Sequence, residues 1–442
     1  MMGNPKVNPL DISEIVLHVG DFLERDALLR CIRISRTFHD TLVKSIWKKI
    51  TIEAHARYPT GEALQNYKKY IEELKFNESF SEEYLSLQGC SRLRSIECSG
   101  VWSSPSPDQV FDLIKPHSST ITKLSFKFSN LRNKWGTLLG CTRLEALDIY
   151  HTHILEDEFA QFFQICHKVR WLHLSGIKIN QFPLNFLDDD KEEYIFLNMT
   201  TLRLYNVEIS NPPHPHTSSY CLGILTKRCP GLRSLEFFYY REDTQTTQQM
   251  DITFYRTALL HHPYTLTNLS DVYFPLMKIT DEEMATLLKK MTSLRRLEVP
   301  DCDFGPLSIR ELLADEQEVL DGGRIVRQRR DQRLCDTVEI VKVNQQSKRT
   351  DGVAQVFLSN CPRLKRLYGP KITVTEVVGS AEWVSTGLTK MMVRLVVDVD
   401  PVTKEGKEKG RIVYDRICNL ARLDLSDLTY FSGLLSFARI NV

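Results

Sequence analysis

The sequence predicts an α/β solenoid of stacked strand-and-helix units, preceded by a small all-α segment. Three observations predict this. The stretch from Cys141 to Phe163 reads as a short strand followed by a helix. Leu144, Leu147 and Ile149 have L-x-x-L-x-L spacing, and Leu155, Phe159, Phe162 and Phe163 follow at helical spacing. The same spacing recurs from Val169, Leu232, Leu294, Val338 and Leu364, and more weakly from Leu93, Ile121, Met199, Leu266, Met392 and Leu420. Residues 8–50 lack it and read as short amphipathic helices.

A strand and helix this small cannot bury their apolar faces alone, so copies must stack on either side. Successive first apolar residues lie 23 to 34 apart with one exception. Most of these intervals fall near the period of about 20–29 residues of leucine-rich repeats, some with loops added. The exception, 44 residues between Leu294 and Val338, marks an insertion at about 314–334. The expected organisation is a helical domain over 8–50, a bridging segment over 51–80 and a leucine-rich-repeat solenoid (horseshoe) over 81–442.

In the helical segment, Ile12, Ile15, Val16 and Val19 form one apolar face, which Phe22 and Leu23 close. Asp26 is placed to cap a second helix through Leu28, Leu29 and Cys31. Ser35 is placed to cap a third through Phe38, Leu42, Val43, Ile46 and Trp47. In the bridge, Ile50 and Ile52 alternate like a strand, residues 63–74 read as helix, and Leu74 to Phe76 is placed to start the array. Thr280 or Asp281 opens a helix with Glu282 and Glu283 in its first turn. Residues 102–107 and 211–219 read as loops, and Pro401–Gly410 as a hairpin or loop tip. The insertion carries Arg324, Arg327, Arg329, Arg330 and Arg333, a pattern that suits a solvated loop, a nuclear address or an acidic partner.

The chain has 442 residues, 42% hydrophobic and 26% charged, which describes a folded protein. A net charge of +1 gives no global pull toward nucleic acid or membrane. No run of 18 apolar residues suggests a membrane span, and the start lacks an apolar signal core. The expected location is therefore cytoplasmic or nuclear. Of the 11 cysteines, Cys90, Cys141, Cys166, Cys229, Cys335, Cys361 and Cys418 each introduce a repeat. That regularity points to packing rather than to disulfides or zinc.

No phosphate loop, dinucleotide fingerprint or serine elbow occurs. The pairs His151/His153, His214/His216 and His261/His262 and the run Asp188–Asp190 lack the further ligands of a metal site. The sequence therefore predicts no catalytic residue, cofactor or metal. A leucine-rich array lines its concave face with strand residues lying between the apolar ones. The candidates for target contact there are Trp171, His173, Arg203, Tyr205, Glu236, Phe238, Arg296, Glu298 and Asp424. Aromatic and arginine side chains on such a face suit interface anchors.

Residues 8–50 resemble an F-box. The resemblance rests on Glu14-Ile15, Val19, Phe22-Leu23, Asp26, Leu28-Leu29, Cys31, Ile34-Ser35, Phe38 and Trp47. It departs where the opening Leu-Pro is replaced by Asp11-Ile12 and the first Trp by Phe38. The array is similar to the cysteine-containing leucine-rich repeats of F-box proteins: Cys229-Pro230 and Cys361-Pro362 carry their C-P opening, and Ile279-Thr280-Asp281 their helix start. The resemblance implies a non-catalytic substrate receptor of an SCF-type ubiquitin ligase. The F-box would bind a Skp-type adaptor of a cullin complex, and the repeats a protein target. Glu14, Ile15, Val19, Phe22, Leu23, Leu28, Leu29, Ile34, Phe38 and Trp47 would form the F-box core and adaptor face. The altered Leu-Pro favours the alternative, a repeat scaffold without a ligase role. An enzyme with a site near the 314–334 insertion is a third reading.

Overall fold

The computed structural model describes residues 10, 12–53, 58–77, 82–99, 108–127, 131–187, 194–240, 244–260, 266–322, 324–343, 352–369 and 371–420. The chain forms two compact units, Met1–Ile177 and Lys178–Val442.

The first unit opens with helices α1 (Ser13–Gly20), α2 (Arg25–Cys31) and α3 (Arg36–Lys48). Ser35 caps α3 by accepting the Phe38 amide at 3.2 Å. Asp26 is not the cap of α2. Glu24 holds that position without a side-chain bond, and Asp26 sits in the first turn, facing the helix dipole. Helix α3 runs straight into the first strand of a parallel sheet. Its strands are β1 (Lys49–Glu53), β2 (Glu73–Asn77), β3 (Ser95–Ser99), β4 (Lys123–Lys127), β5 (Ala146–Tyr150) and β6 (Trp171–Ser175). Residues 51–80, read as a bridge, thus supply the sheet's first two strands, with Ile50 opposite Leu74 and Ile52 opposite Phe76. The helix read over 63–74 stops at Tyr67, and a 3₁₀ turn carries the chain to Tyr70.

Along these strands one apolar pair points inward and its neighbours point out. Leu124, Leu147 and Leu172 stand in register, as do Phe126, Ile149 and Leu174. All six are buried. The register puts Trp47 at the first apolar position of the first repeat, where it is buried and stacks on Tyr67 at 5.0 Å. After β5 and β6 the chain turns through left-handed residues, His151 (φ 50°) and Gly176 (φ 62°), and each turn leads to an apolar residue that re-enters the core. A Cβ on Gly176 would lie 2.6 Å from His151 Nδ1, so the closeness of the two turns, as well as the backbone angle, demands glycine.

The second unit has β7 (Thr201–Tyr205), β8 (Ser234–Phe238), β9 (Asp271–Tyr273), β10 (Arg296–Val299), β11 (Ile340–Val343), β12 (Arg366–Tyr368) and β13 (Lys390–Met392), parallel and paired in that order. Two frames differ from the expected ones. Leu235 stands opposite Val272, so the repeat starts at Leu269 rather than Leu266. Leu367 stands opposite Met391, so another starts at Leu388 rather than Met392. With inward side chains in register from strand to strand and helices in the connections, both units have the leucine-rich-repeat α/β fold.

The 314–334 insertion is an antiparallel hairpin, Glu316–Asp321 against Arg324–Arg329, turned by Gly322. Its acidic strand matches its basic one, Glu318 lying opposite Arg327 and Asp321 opposite Arg324. Arg330 ends the hairpin inside the protein rather than in solvent. Residues 401–410 are not a hairpin or loop tip. Thr403 caps a helix over Lys404–Cys418 by accepting the Gly406 amide at 3.0 Å. Its buried face is Gly406, Gly410, Val413 and Ile417. Gly406 is required there, since a Cβ would lie 1.9 Å from the Asp400 carbonyl.

All eleven cysteines are free thiols, and those at 90, 141, 166, 229, 335 and 361 are buried, each three residues before the first apolar residue of its repeat. Burial pushes the thiols of Cys90, Cys141 and Cys335 up to about 11. The exception is Cys418, exposed on the last turn of its helix.

One buried carboxylate stands apart. Asp251 is 2% exposed and neither oxygen accepts a hydrogen bond. Burial pushes its pKa up to about 7. A raised carboxyl keeps in the folded state a proton that the unfolded chain has released. Stability should therefore fall as pH rises from about 4 to about 7, then level off, by roughly 2–4 kcal/mol. Asp251→Asn should remove that decline, which urea unfolding at pH 4.5, 6 and 8 would show. A wild-type stability that rises across the range would contradict it.

Candidate functional site

The strand side chains that point away from the buried leucines form two clusters, one in each unit. In the first unit Asp148 and His173 are cross-strand partners. His173 Nδ1 lies 2.6 Å from Asp148 Oδ1, and the Tyr150 hydroxyl lies 3.2 Å from the same nitrogen. Ser125 donates to Asp148 Oδ2 at 3.3 Å, and Trp171 meets the His173 ring edge-on at 5.8 Å. The serine thus donates to the carboxylate and not to the imidazole. This is the reverse of the order a nucleophile–base pair needs. Beside it, Lys75 and Lys127 converge on Glu97 Oε1 at 3.2 and 3.5 Å.

In the second unit Glu236 is the centre. It is only 4% exposed, although it points outward, because long neighbouring side chains cover it. Its Oε1 takes Arg203 at 3.2 Å and Arg296 at 3.3 Å, and its Oε2 accepts the Tyr205 hydroxyl in a short bond. Arg296 also donates to Glu298 at 2.7 Å and lies over the Tyr273 ring at 5.3 Å. Arg295 reaches Asp271 Oδ1 at 2.6 Å. Three arginines face three carboxylates, so the cluster is internally neutral. Burial and the bond to Glu236 both push the Tyr205 hydroxyl up, and it stays protonated. Burial works against the Arg296 charge, but Glu298, Glu236 and Asp271 more than offset it and hold its proton more tightly.

Eight of the expected contact residues fall on outward strand positions. Trp171 and His173 join the first cluster; Arg203, Tyr205, Glu236, Arg296 and Glu298 join the second. Phe238 packs edge-on against Tyr205 at 6.1 Å. Asp424 lies outside the described residues. The sequence reading missed Asp148 and Tyr150, although they sit four and six residues after Leu144, the offsets that select Arg203 and Tyr205 after Met199. It missed Asp271 and Tyr273 because the frame there was set three residues early.

The helical segment divides its residues into two sets. Val16, Leu28, Leu42, Val43, Ile46 and Trp47 are buried. Ile15, Val19, Phe22, Leu29 and Ile34 are exposed, Phe22 at 79% and Ile34 at 67%. Glu14 is exposed, and Leu23 and Phe38 are half-buried. Of the seventeen large apolar side chains that stand exposed among the described residues, eight lie between Leu10 and Ile34. So dense a cluster is more than scattered surface leucines require.

Among the described residues there is no group of three or more His, Cys, Asp or Glu able to hold a metal, and no helix long and apolar enough to cross a membrane. The sequence matches no protein-family model and no curated protein. Solved structures do resemble it. One is an internalin from Listeria monocytogenes, with 14% identity and a TM-score of 0.38 over 94% of this chain and 93% of that one. A second is a leucine-rich-repeat protein of Leptospira interrogans, with 12% identity and a TM-score of 0.39 over 83% and 92%. A third is the leucine-rich-repeat ectodomain of a plant membrane receptor kinase from Arabidopsis thaliana, in complex with CASPARIAN STRIP INTEGRITY FACTOR 2. It has 12% identity and a TM-score of 0.31 over 82% and 42%.

Proposed function

We propose that the protein is a non-catalytic substrate receptor of an SCF-type ubiquitin ligase. Helices α1–α3 bind a Skp-type adaptor and the outward strand face binds a protein target. The receptor works by proximity, raising the target's effective concentration at the ubiquitin-loaded enzyme. The observation that carries this reading is the exposed apolar cluster on the helical segment, where Ile15, Val19, Phe22, Leu29 and Ile34 are left uncovered while Val16, Leu28 and Ile46 complete a small core. These exposed residues belong to the set that resembles an F-box. Exposing a group of this kind costs stability unless a partner covers it.

The test is pull-down and calorimetry of the full chain with a Skp-type adaptor. Phe22→Asp and Ile34→Asp should each weaken binding by about 2 kcal/mol or more, as for anchors in a desolvated interface. Both side chains are exposed, so the far-UV spectrum should not change. A folded wild-type chain that binds no adaptor defeats the ligase reading. It would leave the second reading, a protein-binding repeat scaffold, which the replacement of Leu-Pro by Asp11-Ile12 favours.

A further inference from the structure

The outward face of the second unit changes character along its length. From β7 to β10 the arginines of the strands and their edges meet carboxylates: Arg203 and Arg296 meet Glu236, and Arg295 meets Asp271. At β11 and β12 that matching stops among the described residues. The outward positions from β11 to β13 are Ile340 and Lys342, Arg366 and Tyr368, Lys390 and Met392. No acid stands among them. Among the described residues, Lys342 and Arg366 make no ion pair. Glu298, which faces Lys342 in register, is held by Arg296 at 2.7 Å. Glu339, just before β11, is held by Lys365 at 2.9 Å. Arg394 lies two residues past β13; it is exposed and makes no ion pair among the described residues.

Neighbouring parallel strands lie about 4.8 Å apart and rise about 3.3 Å per residue, so Lys342 and Arg366, one strand and two residues apart, are held within about 10 Å of each other. Like charges this close repel, and only screening by water and salt moderates the repulsion. Among the described residues, folding therefore keeps Lys342 and Arg366 on two adjacent strands without a counter-charge, beside a region where each arginine meets a carboxylate. Ile340, Tyr368 and Met392 alternate with the cations and offer apolar contact between them. A nucleic-acid surface would need aromatic platforms for bases, and Tyr368 is the one aromatic here.

We propose that β11–β13 bind an acidic segment of a protein, its carboxylates on Lys342, Arg366 and Arg394 and its apolar side chains on Ile340, Tyr368 and Met392. This deepens the receptor reading by naming the class of target, and it rests on that reading only for the purpose of the binding. The surface itself does not depend on the adaptor.

The test uses fluorescence anisotropy with the full chain and a fluorescein-labelled dodecapeptide of glutamate and leucine in a 3:1 ratio. A glutamine-for-glutamate version and a single-stranded dodecanucleotide serve as rival probes. The acidic peptide should bind, weaken several-fold between 50 and 300 mM NaCl, and lose at least ten-fold in affinity in the Lys342→Glu/Arg366→Glu double variant. The hairpin variant Arg324→Glu/Arg327→Glu/Arg329→Glu should change it less than two-fold. Tighter binding of the oligonucleotide than of the peptide overturns the proposal, as does acidic-peptide binding indifferent to the double variant but lost in the hairpin variant. Adaptor binding is measured on the same samples. Peptide binding without adaptor binding sinks the ligase reading and keeps the basic surface, and the converse sinks the surface alone.

Discussion

Replacing Arg330 by methionine should lower the stability of the second unit by roughly 3–5 kcal/mol, the cost of leaving buried polar groups unpaired. The side chain is 6% exposed and makes no ion pair among the described residues. Its guanidinium instead donates to four carbonyls: Leu288 at 2.7 Å, Ala314 at 2.9 Å, Glu311 at 3.2 Å and Met291 at 3.3 Å. Leu288 and Met291 end the helix Asp281–Lys290, and Glu311 and Ala314 end the helix Pro306–Leu313. One cation therefore caps the negative ends of two helices at once, where backbone acceptors would otherwise be buried unpaired. Burial works against the guanidinium's charge, and Glu311 and Cys335 partly restore it. Methionine fills the space and satisfies none of the carbonyls. Arg330→Lys should recover part of the loss, because an ammonium reaches fewer acceptors. Urea unfolding followed by tryptophan fluorescence reads the difference; equal midpoints for wild type and Arg330→Met would refute the double cap.

The second large effect is expected at Asp281, where the chain uses the opposite helix end. Its Oδ1 accepts the Gly305 amide at 2.8 Å, the Ser308 amide at 3.0 Å and the Ser308 hydroxyl at 2.6 Å, while Oδ2 accepts the Leu307 amide at 3.0 Å. One carboxylate from the first turn of one helix thus satisfies the amides that open the next. Asp281→Ala should cost roughly 2–4 kcal/mol, more than an ordinary cap because three amides are orphaned. Gly305 makes the approach possible, since a Cβ there would lie 2.7 Å from Asp281 Oδ2. Burial pushes the Asp281 carboxyl up, but the bonds from Ser308, Gly305 and Leu307 outweigh it and the net shift is downward. The sign is the reverse of that at Asp251. The stabilisation is complete above the unfolded value near pH 3.9 and is lost as pH falls through the folded one. Wild type and Asp281→Ala should therefore differ at pH 7 and converge toward pH 3. A difference that persists unchanged at pH 3 would assign the effect to packing.

Arg330 and Asp281 also show where sequence reading stops. Asp281 was legible as a helix start, because Thr280 and Glu283 form a capping box within one turn. Its service to a helix 24 residues later depends on how two repeats stack, which no local pattern encodes. Arg330 read as one of several arginines in a solvated insertion; only the hairpin's return places it between two helix ends. The repeats were legible where leucine and cysteine recur at fixed offsets, as at Leu144, Leu147 and Ile149. The frame failed at Leu266 because Leu269 lies three residues on and carries the same spacing. The helix Lys404–Cys418 escaped notice because its buried face starts with Gly406 and Gly410, so close packing replaces apolar bulk. The outward clusters were legible residue by residue but not as clusters, since Arg296 reaches Glu236 across 60 residues of chain.

Trp47 bears on how any dissection of this molecule will behave. It ends the third helix and also begins the repeat ladder, buried against Tyr67 and one residue pair away from Ile50 and Ile52. Cutting the chain at residue 50 would not simply remove a module. It would strip the terminal cap from a parallel sheet and uncover a hydrogen-bonding edge of the sort that recruits other chains. Such a truncate should precipitate or self-associate for reasons unrelated to any partner, and its loss of binding would carry no information. Single substitutions on the exposed helix surface leave that terminus sealed.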